Sequence, residues 1–481
     1  MKSTLQTVLS MLVCLFFVHS LSAKDINIEE WQGSSRASGK LPLMFINTEN
    51  GDSILDKETK IPAGLWIEIP ENCPEKDFAL GSKDAPISLE IKGRGNSTWK
   101  MPKKPYKLKF TKKTAILGMP KHKHFALQAC YGNAIDWGAA VGGMELGRLT
   151  GMPWCSRVEP VELILNGTYE GLYFVFESIK IDENRVDIYE QPEENTDPAT
   201  IPYGWLVELD NYEDEFQIKV PENPNTGSIM RVTHKSPELL SDQQRDWLIN
   251  DFTEMCKVIY ADSATAERWV DYIEPLSLAR YYIVREVMTD PDGFNGSTYL
   301  NKDNDGDTRW HFGPMWDCSV SPHNVDPYWT MDNLPSWSTW QLIPGIKTTA
   351  NFEKALLQVW SDFYPEQFNT ITDYLHDLNE RVLEADIITW ERWGEPYEKP
   401  YKGLVDYVLR LLTRKAAFMD DYYQSLISAG VEDVVSDAEL VAERYYTLEG
   451  IELAQPLTNG LYIKSSVYSD GTVKTSKVLA R

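Results

Sequence analysis

The residues whose types and spacing could do chemistry gather first in one short basic stretch. Ile91-Lys92-Gly93-Arg94-Gly95-Asn96-Ser97-Thr98-Trp99 runs on to Met101-Pro102-Lys103-Lys104-Pro105-Tyr106-Lys107-Leu108-Lys109-Phe110, with seven basic side chains within 19 residues. After a strand, Gly93 and Gly95 let backbone amides come close to an anion while Arg94 and the lysines supply charge, a combination suited to polyphosphate. Alternation from Lys103 onward puts Lys107 and Lys109 on one strand face and Tyr106, Leu108 and Phe110 on the other, so that one of the two lysines could point into a cleft. The same pattern also fits an edge strand that lysines guard against aggregation.

This stretch stands out because the chain around it is acidic. Its 481 residues carry 72 acidic against 47 basic side chains, a net charge of −25. Such a surface repels phosphate backbones and anionic lipids, which argues against general nucleic-acid or membrane-surface binding. Residues 1–23 read as an export signal: Lys2, an apolar run from Val8 to Val18, then small residues ending at Ala23. The run is too short for a permanent membrane span. The remaining cysteines, Cys73, Cys130, Cys155, Cys256 and Cys318, are odd in number and widely spaced, against both a disulfide framework and a zinc site. One bridge is left open.

The elements that must position the basic stretch read as two halves. From Leu41 to about Phe110 short apolar alternations predict strands, and a second group, Val161–Leu165 and Gly171–Phe176, is joined through a tight turn at Asn166-Gly167. From Pro237 onward the period turns helical, with helices expected across 264–288, 365–384 and 401–427. The fold class is therefore α+β, a β-rich amino-terminal lobe and a helix-rich carboxyl-terminal lobe with a cleft between them. The expected layout is a linker at 24–40, a domain at 41–430 divided near 236, a second linker at 431–442, and a small β segment at 443–481 similar to a carboxyl-terminal sorting tail.

Taken in order, Lys92-Gly-Arg-Gly-Asn-Ser-Thr-Trp99, Pro102-Lys-Lys-Pro-Tyr-Lys-Leu-Lys109, Leu117-Gly-Met-Pro120, Asn166-Gly-Thr-Tyr-Glu-Gly-Leu-Tyr173, Glu177, Glu286 with Asp292, and Gly313-Pro-Met-Trp-Asp317 closely resemble the CotH-like family, the spore coat protein H kinases. The resemblance implies an atypical protein-kinase-like fold that uses ATP and Mg2+ or Mn2+ to phosphorylate a protein Ser or Thr acceptor, here in an exported bacterial member: periplasmic, at the cell surface or extracellular. It implies Asp292 as the catalytic carboxylate, with Lys107 as the catalytic cation. Arg94, Asn96, Lys107, Lys109 and Glu177 would serve the nucleotide, Glu177 as partner of a cleft lysine. Asp317, Ser297 and Asn295 would serve the metal. Asp290 competes with Asp292, because Asp290 to Asn295 has the same five-residue spacing as Asp292 to Ser297.

Two departures from the family pattern bear on activity. Asp317-Cys318-Ser319 lacks the usual aromatic and second acid or glycine, and Tyr131-Gly-Asn-Ala-Ile-Asp136 lacks the acid expected near Asn133, for which Asp136 is a substitute. They support an alternative, a catalytically silent envelope or surface binding protein. Sixteen tryptophans, grouped partly at 329–340 and 390–393, give a lesser case for carbohydrate binding or cleavage. Asp303-Asn-Asp-Gly-Asp307 has its glycine at the wrong place for a calcium loop and reads as a hairpin turn.

Overall fold

The structure, a computed structural model, describes residues 37–210, 217–220, 222–224, 227, 229–290, 292–320, 342–394, 399–429, 440–448, 450–457, 459–468 and 473–480. The reading of 1–23 as a signal and the tryptophans at 329–340 lie outside them.

Seven strands form a closed barrel: β1 (Leu43–Thr48), β2 (Ile61–Glu68), β3 (Ile87–Gly93), β4 (Tyr106–Ile116), β5 (Met119–Gln128), β6 (Val158–Leu165) and β7 (Thr168–Glu177). Their order is β1-β2-β3-β4-β5-β7-β6, and β1 closes the ring by pairing parallel to β6. Alternation decides which side chains fill it. Leu89, Ile91, Leu108, Phe110, Phe125 and Leu127 point inward to a common apolar core, while Lys107 and Lys109 stay outside and are only half-buried. The turn at Asn166-Gly167 has positive φ at both residues (48° and 79°), as a two-residue hairpin requires, and Asn166 Oδ1 accepts from the Thr48 amide at 2.8 Å.

Between β5 and β6 the chain forms helix α1 (Asn133–Leu149), inside a half that the sequence pattern marks as β. Its four glycines weaken the helical signal but allow close approach. A Cβ at Gly143 would lie 2.4 Å from Cys318 Sγ, and one at Gly147 2.5 Å from Cys155 Sγ.

A second, five-stranded antiparallel sheet has the order β12-β11-β8-β10-β9. It joins β8 (Trp205–Asp210), β9 (Gln217–Lys219) and β10 (Arg231–Ser236) to β11 (Thr298–Lys302) and β12 (His311–Phe312). Strands before and after residue 236 thus share one sheet. The helices α2 (Asp242–Ile259), α3 (Pro275–Val287), α4 (Ala350–Phe363), α5 (Glu366–Trp393) and α6 (Leu404–Ala429) pack with α1 and the second sheet around the larger core. Helix α2 begins at a capping box of Ser241 and Gln244, and Glu274 caps α3 ahead of Pro275.

The chain ends in a four-stranded sheet, β14-β13-β15-β16, made of β13 (Leu440–Tyr446), β14 (Glu452–Leu453), β15 (Gly460–Tyr468) and β16 (Val473–Ala480). It rests on α4 and α6; Leu461 joins the larger core, and Lys477 pairs with Glu353 at 2.9 Å. Among the described residues no helix is long and apolar enough to cross a membrane, and none of Cys73, Cys130, Cys155, Cys256 and Cys318 forms a disulfide.

Candidate functional site

The basic stretch is a loop between β3 and β4, and its glycines answer to its own packing. A Cβ on Gly93 would meet the Trp99 ring at 2.5 Å and the Asp56 carbonyl at 2.6 Å, and one on Gly95, at φ 80°, would lie 2.0 Å from Thr98 Oγ1. Lys104 donates to the Trp99 carbonyl at 2.7 Å. Lys103 is buried, donating to the carbonyls of Ala129 (2.7 Å) and Leu172 (2.5 Å). Asn96 is exposed and accepts from Lys57 at 3.1 Å, and Lys109 lies opposite Glu90 and His124 in the ladders of β4. Neither Asn96 nor Lys109 lines a pocket described below. Because β4 is hydrogen-bonded on both sides in a closed barrel, guarding a free edge does not explain its lysines.

Arg94 and Lys107 instead line a cavity of about 540 Å³ together with Lys180, His234, Lys235 and Trp316. Burial lowers the pKa of Lys107 to about 8, helped by Lys180, Lys92 and Arg94. Arg94 is also pulled below its ordinary value by burial, against the support of Asp317 and Tyr299, and its guanidinium lies over the Trp316 ring at 5.5 Å. Trp316 also walls a second pocket of about 250 Å³, lined by Lys103, Cys130, Asp136 and Asp317 among others.

The acidic side of the site is built on one buried arginine. Arg285, near the end of α3, pairs with Asp290, both fully buried, and donates to the carbonyls of Trp316 (2.8 Å) and Asp317 (3.3 Å). Asp290 Oδ1 further accepts from Ser319 Oγ at 2.6 Å and from the Asp292 amide at 3.1 Å. Asp290 is therefore occupied as a scaffold, whereas Asp292 is an exposed residue whose carboxyl group is partly desolvated. Its pKa is raised by burial first, then by Asp290 and Asp317. Ser297 Oγ donates to Asp317 Oδ2 at 3.4 Å, which brings the two acidic segments together. The Asn295 amide donates to the Asp292 carbonyl at 3.1 Å. Thr289, Phe294, Ser297, Asp317 and Cys130 all have positive φ, between 44° and 63°. Such backbone persists where its surroundings over-determine it, and it collects at functional sites.

Asp317 lies five residues beyond Phe312, the end of the two-residue strand β12. The departure after it has local reasons: Ser319 holds Asp290, and Cys318 packs against Gly143. Asp136, in the first turn of α1, does reach the second pocket; burial and then Asp317 push its pKa up to about 6, opposed by Lys103. Glu177 departs from its expected role. Its fully buried carboxylate takes Arg157, through the amide at 3.1 Å and the guanidinium at 3.3 Å, in place of a cleft lysine. Glu286 faces away from Arg285 and pairs with the buried Lys415 on α6 at 3.3 Å.

Arg285 and Trp316 are the residues that sequence reasoning missed. Arg285 directly after the apolar run Tyr281-Tyr-Ile-Val284 was the signal for the first. Among the described residues no group of three or more His, Cys, Asp and Glu is arranged to hold a metal. Asp317 and Ser297 nevertheless offer hard oxygen donors, and magnesium needs only one or two protein carboxylates when phosphates supply the rest.

A search of curated proteins finds no match to the chain. The family model described as CotH kinase protein matches residues 91–412, from the basic loop through both acidic segments and into α6. With most of the length and every candidate site residue inside that match, the chain belongs to the CotH kinase protein family.

Proposed function

We propose that the protein is an ATP-dependent phosphotransferase acting on the hydroxyl of a protein Ser or Thr acceptor. The observation that carries this reading is the pair flanking Trp316: Arg94, in a cavity rich in cations, lies over the ring, and Asp317 follows it in the pocket next door. Phosphoryl transfer needs little covalent help from protein; it needs cations on the phosphates, a carboxylate to hold metal against them, and another near the acceptor oxygen. In this reading the barrel is one lobe, the helices with the second sheet are the other, and the nucleotide lies between them.

Arg94 and Lys107 would meet the phosphates. Asp317, with Ser297 beside it and Asn295 two residues earlier in the same loop, would hold Mg2+ or Mn2+, which supplies charge neutralisation as the phosphoryl group leaves. Asp292, exposed and with a raised pKa, would orient the acceptor hydroxyl and accept its proton. An exported setting accompanies the proposal through the reading of residues 1–23.

Calorimetric titration of the protein with ATP and Mg2+ or Mn2+, beside Asp317→Ala and Arg94→Ala variants, tests this reading. The expected result is metal-dependent binding that Asp317→Ala loses and Arg94→Ala weakens. Absence of binding at millimolar nucleotide would refute it and leave a catalytically silent binding protein of the same family. The aromatic residues give carbohydrate recognition little support. Trp393, for example, donates to the Glu170 carbonyl at 2.9 Å and lies under Arg392.

A further inference from the structure

A third cavity, of about 600 Å³, lies where the chain leaves β7. Among the described residues it shares no lining residue with the two pockets beside Trp316. Three arginines reach it from different elements: Arg157 just before β6, Arg185 in the loop after β7, and Arg280 on α3. Arg185 is 3% exposed. Its Nη1 donates to the Ser178 carbonyl at 2.5 Å and its guanidinium lies over Phe125, but among the described residues its Nη2 is buried without a hydrogen-bond partner. Among the same residues the indole nitrogen of Trp154, which lines the same cavity, is equally buried and unpartnered. Arg280 gives its Nε to the Thr150 carbonyl at 3.1 Å.

Guanidinium and indole N–H groups donate and do not accept, so what they lack is an acceptor. Beside the guanidinium groups of Arg185 and Arg280, with Arg157 already paired to Glu177, the acceptor that gains most is an anionic oxygen. The rim also carries acids, Glu183 and Asp187 in the loop of Arg185, and Asp303 and Asp305 in the turn after β11. Backbone amides hold the last two in place: Asp303 accepts from Tyr189 at 2.7 Å and Asp305 from Asp307 at 2.9 Å. That rim repels a simple anion and attracts an ammonium group. The volume fits a small organic molecule.

We propose that this cavity binds a small zwitterion, its carboxylate or phosphate on Arg157, Arg185, Arg280 and the Trp154 indole, and its ammonium toward the acidic rim. The site does not depend on nucleotide binding. The test is calorimetric titration of the full chain with phosphoethanolamine and with glycylglycine, repeated with inorganic phosphate and with ethanolamine. Arg280→Gln and Trp154→Phe are the variants, because Arg185 is too buried to replace without risk to folding, and urea unfolding midpoints check that both remain folded.

At least one zwitterion is expected to bind, about tenfold or more tightly than inorganic phosphate or ethanolamine and about tenfold more weakly in Arg280→Gln. Trp154→Phe should lose several-fold. Preference for phosphoethanolamine or for glycylglycine distinguishes a phosphate from a carboxylate ligand. The proposal is overturned if neither zwitterion saturates the protein, if inorganic phosphate binds as tightly as both, or if the two variants bind like the parent. Saturating ATP should leave the zwitterion affinity unchanged, so failure here and failure of the nucleotide site are read separately.

Discussion

Asp290 and Asp292 stand two residues apart, and replacing them one at a time should produce different failures. Asp290→Ala removes the only carboxylate that, among the described residues, pairs with the fully buried Arg285 and leaves a guanidinium in the interior with the Tyr281 hydroxyl and two carbonyls. Removing one partner of a buried ion pair costs about 3–5 kcal/mol, mainly because the other charge stays buried. Ser319 Oγ and the Asp292 amide lose an acceptor as well, a loss of about 1 kcal/mol each that overlaps with the first. A total near 4 kcal/mol is a large fraction of the ~5–15 kcal/mol that holds a domain folded. Asp292 is an exposed residue, and Asp292→Asn should change stability by no more than about 0.5 kcal/mol. Urea unfolding followed by circular dichroism gives the midpoints, and phosphoryl transfer from ATP is measured on each variant well below them. The expected pattern is a strongly lowered midpoint for Asp290→Ala, and an unchanged midpoint with lost transfer for Asp292→Asn. If Asp290→Ala unfolds with the parent, the anchoring argument is wrong; if Asp292→Asn transfers phosphate normally, so is the role given to Asp292.

Gly143→Ala should drive a methyl group into Cys318, 2.4 Å from its Cβ and Sγ, and move the neighbouring Asp317. Overpacking of this kind costs about 1–3 kcal/mol, metal-dependent nucleotide binding should fall, and Gly143→Ala combined with Cys318→Gly should restore stability. Asp386 is 3% exposed, and burial pushes its pKa from 3.8 to about 6 against the Trp137 indole bond and Lys103. The folded state then holds the proton more tightly than the unfolded chain, so this group's penalty is absent below about pH 4, grows between pH 4 and 6, and is constant above. Asp386→Asn should therefore match the parent near pH 4 and exceed it at pH 7 by up to about 3 kcal/mol, as unfolding midpoints across that range would show. Leu461→Ala in β15 should cost about 2 kcal/mol or more by thermal melting, and Lys477→Ala, which breaks a partly exposed pair, less than about 1 kcal/mol.

What could be read from sequence follows from how local the determinants are. The strands at 43–48, 61–68 and 87–93 and the Asn166-Gly167 turn carry their own alternation and turn chemistry, and the mixed α+β class followed from those periods. Helix α1 stayed hidden because its four glycines are chosen for neighbours from distant segments: Val408, Leu375, Cys318 and Cys155. The second sheet stayed hidden because its central pair, β8 with β11, joins residues about ninety positions apart. At the site, the charged segments were visible as motifs, and their division of work was not. That Asp290 is held by Arg285 while Asp292 is exposed depends on a buried cation one helix turn upstream, and that Glu177 takes Arg157 depends on the register of β6 against β7.

The parallel closure of the barrel also fixes when the molecule can finish folding. Strand β1 meets β2 early, but its other edge waits for β6, and just upstream Ser38 binds Glu162 across 124 residues of sequence. Every strand between, and the whole of α1, must be made before the ring can shut, and contacts of such long range are formed slowly because the chain entropy is lost before they are gained. Until then β1 and β6 each present a row of unpaired amides and carbonyls to any other chain. Refolding at high protein concentration should therefore lose yield to association before closure, and dilution should recover it.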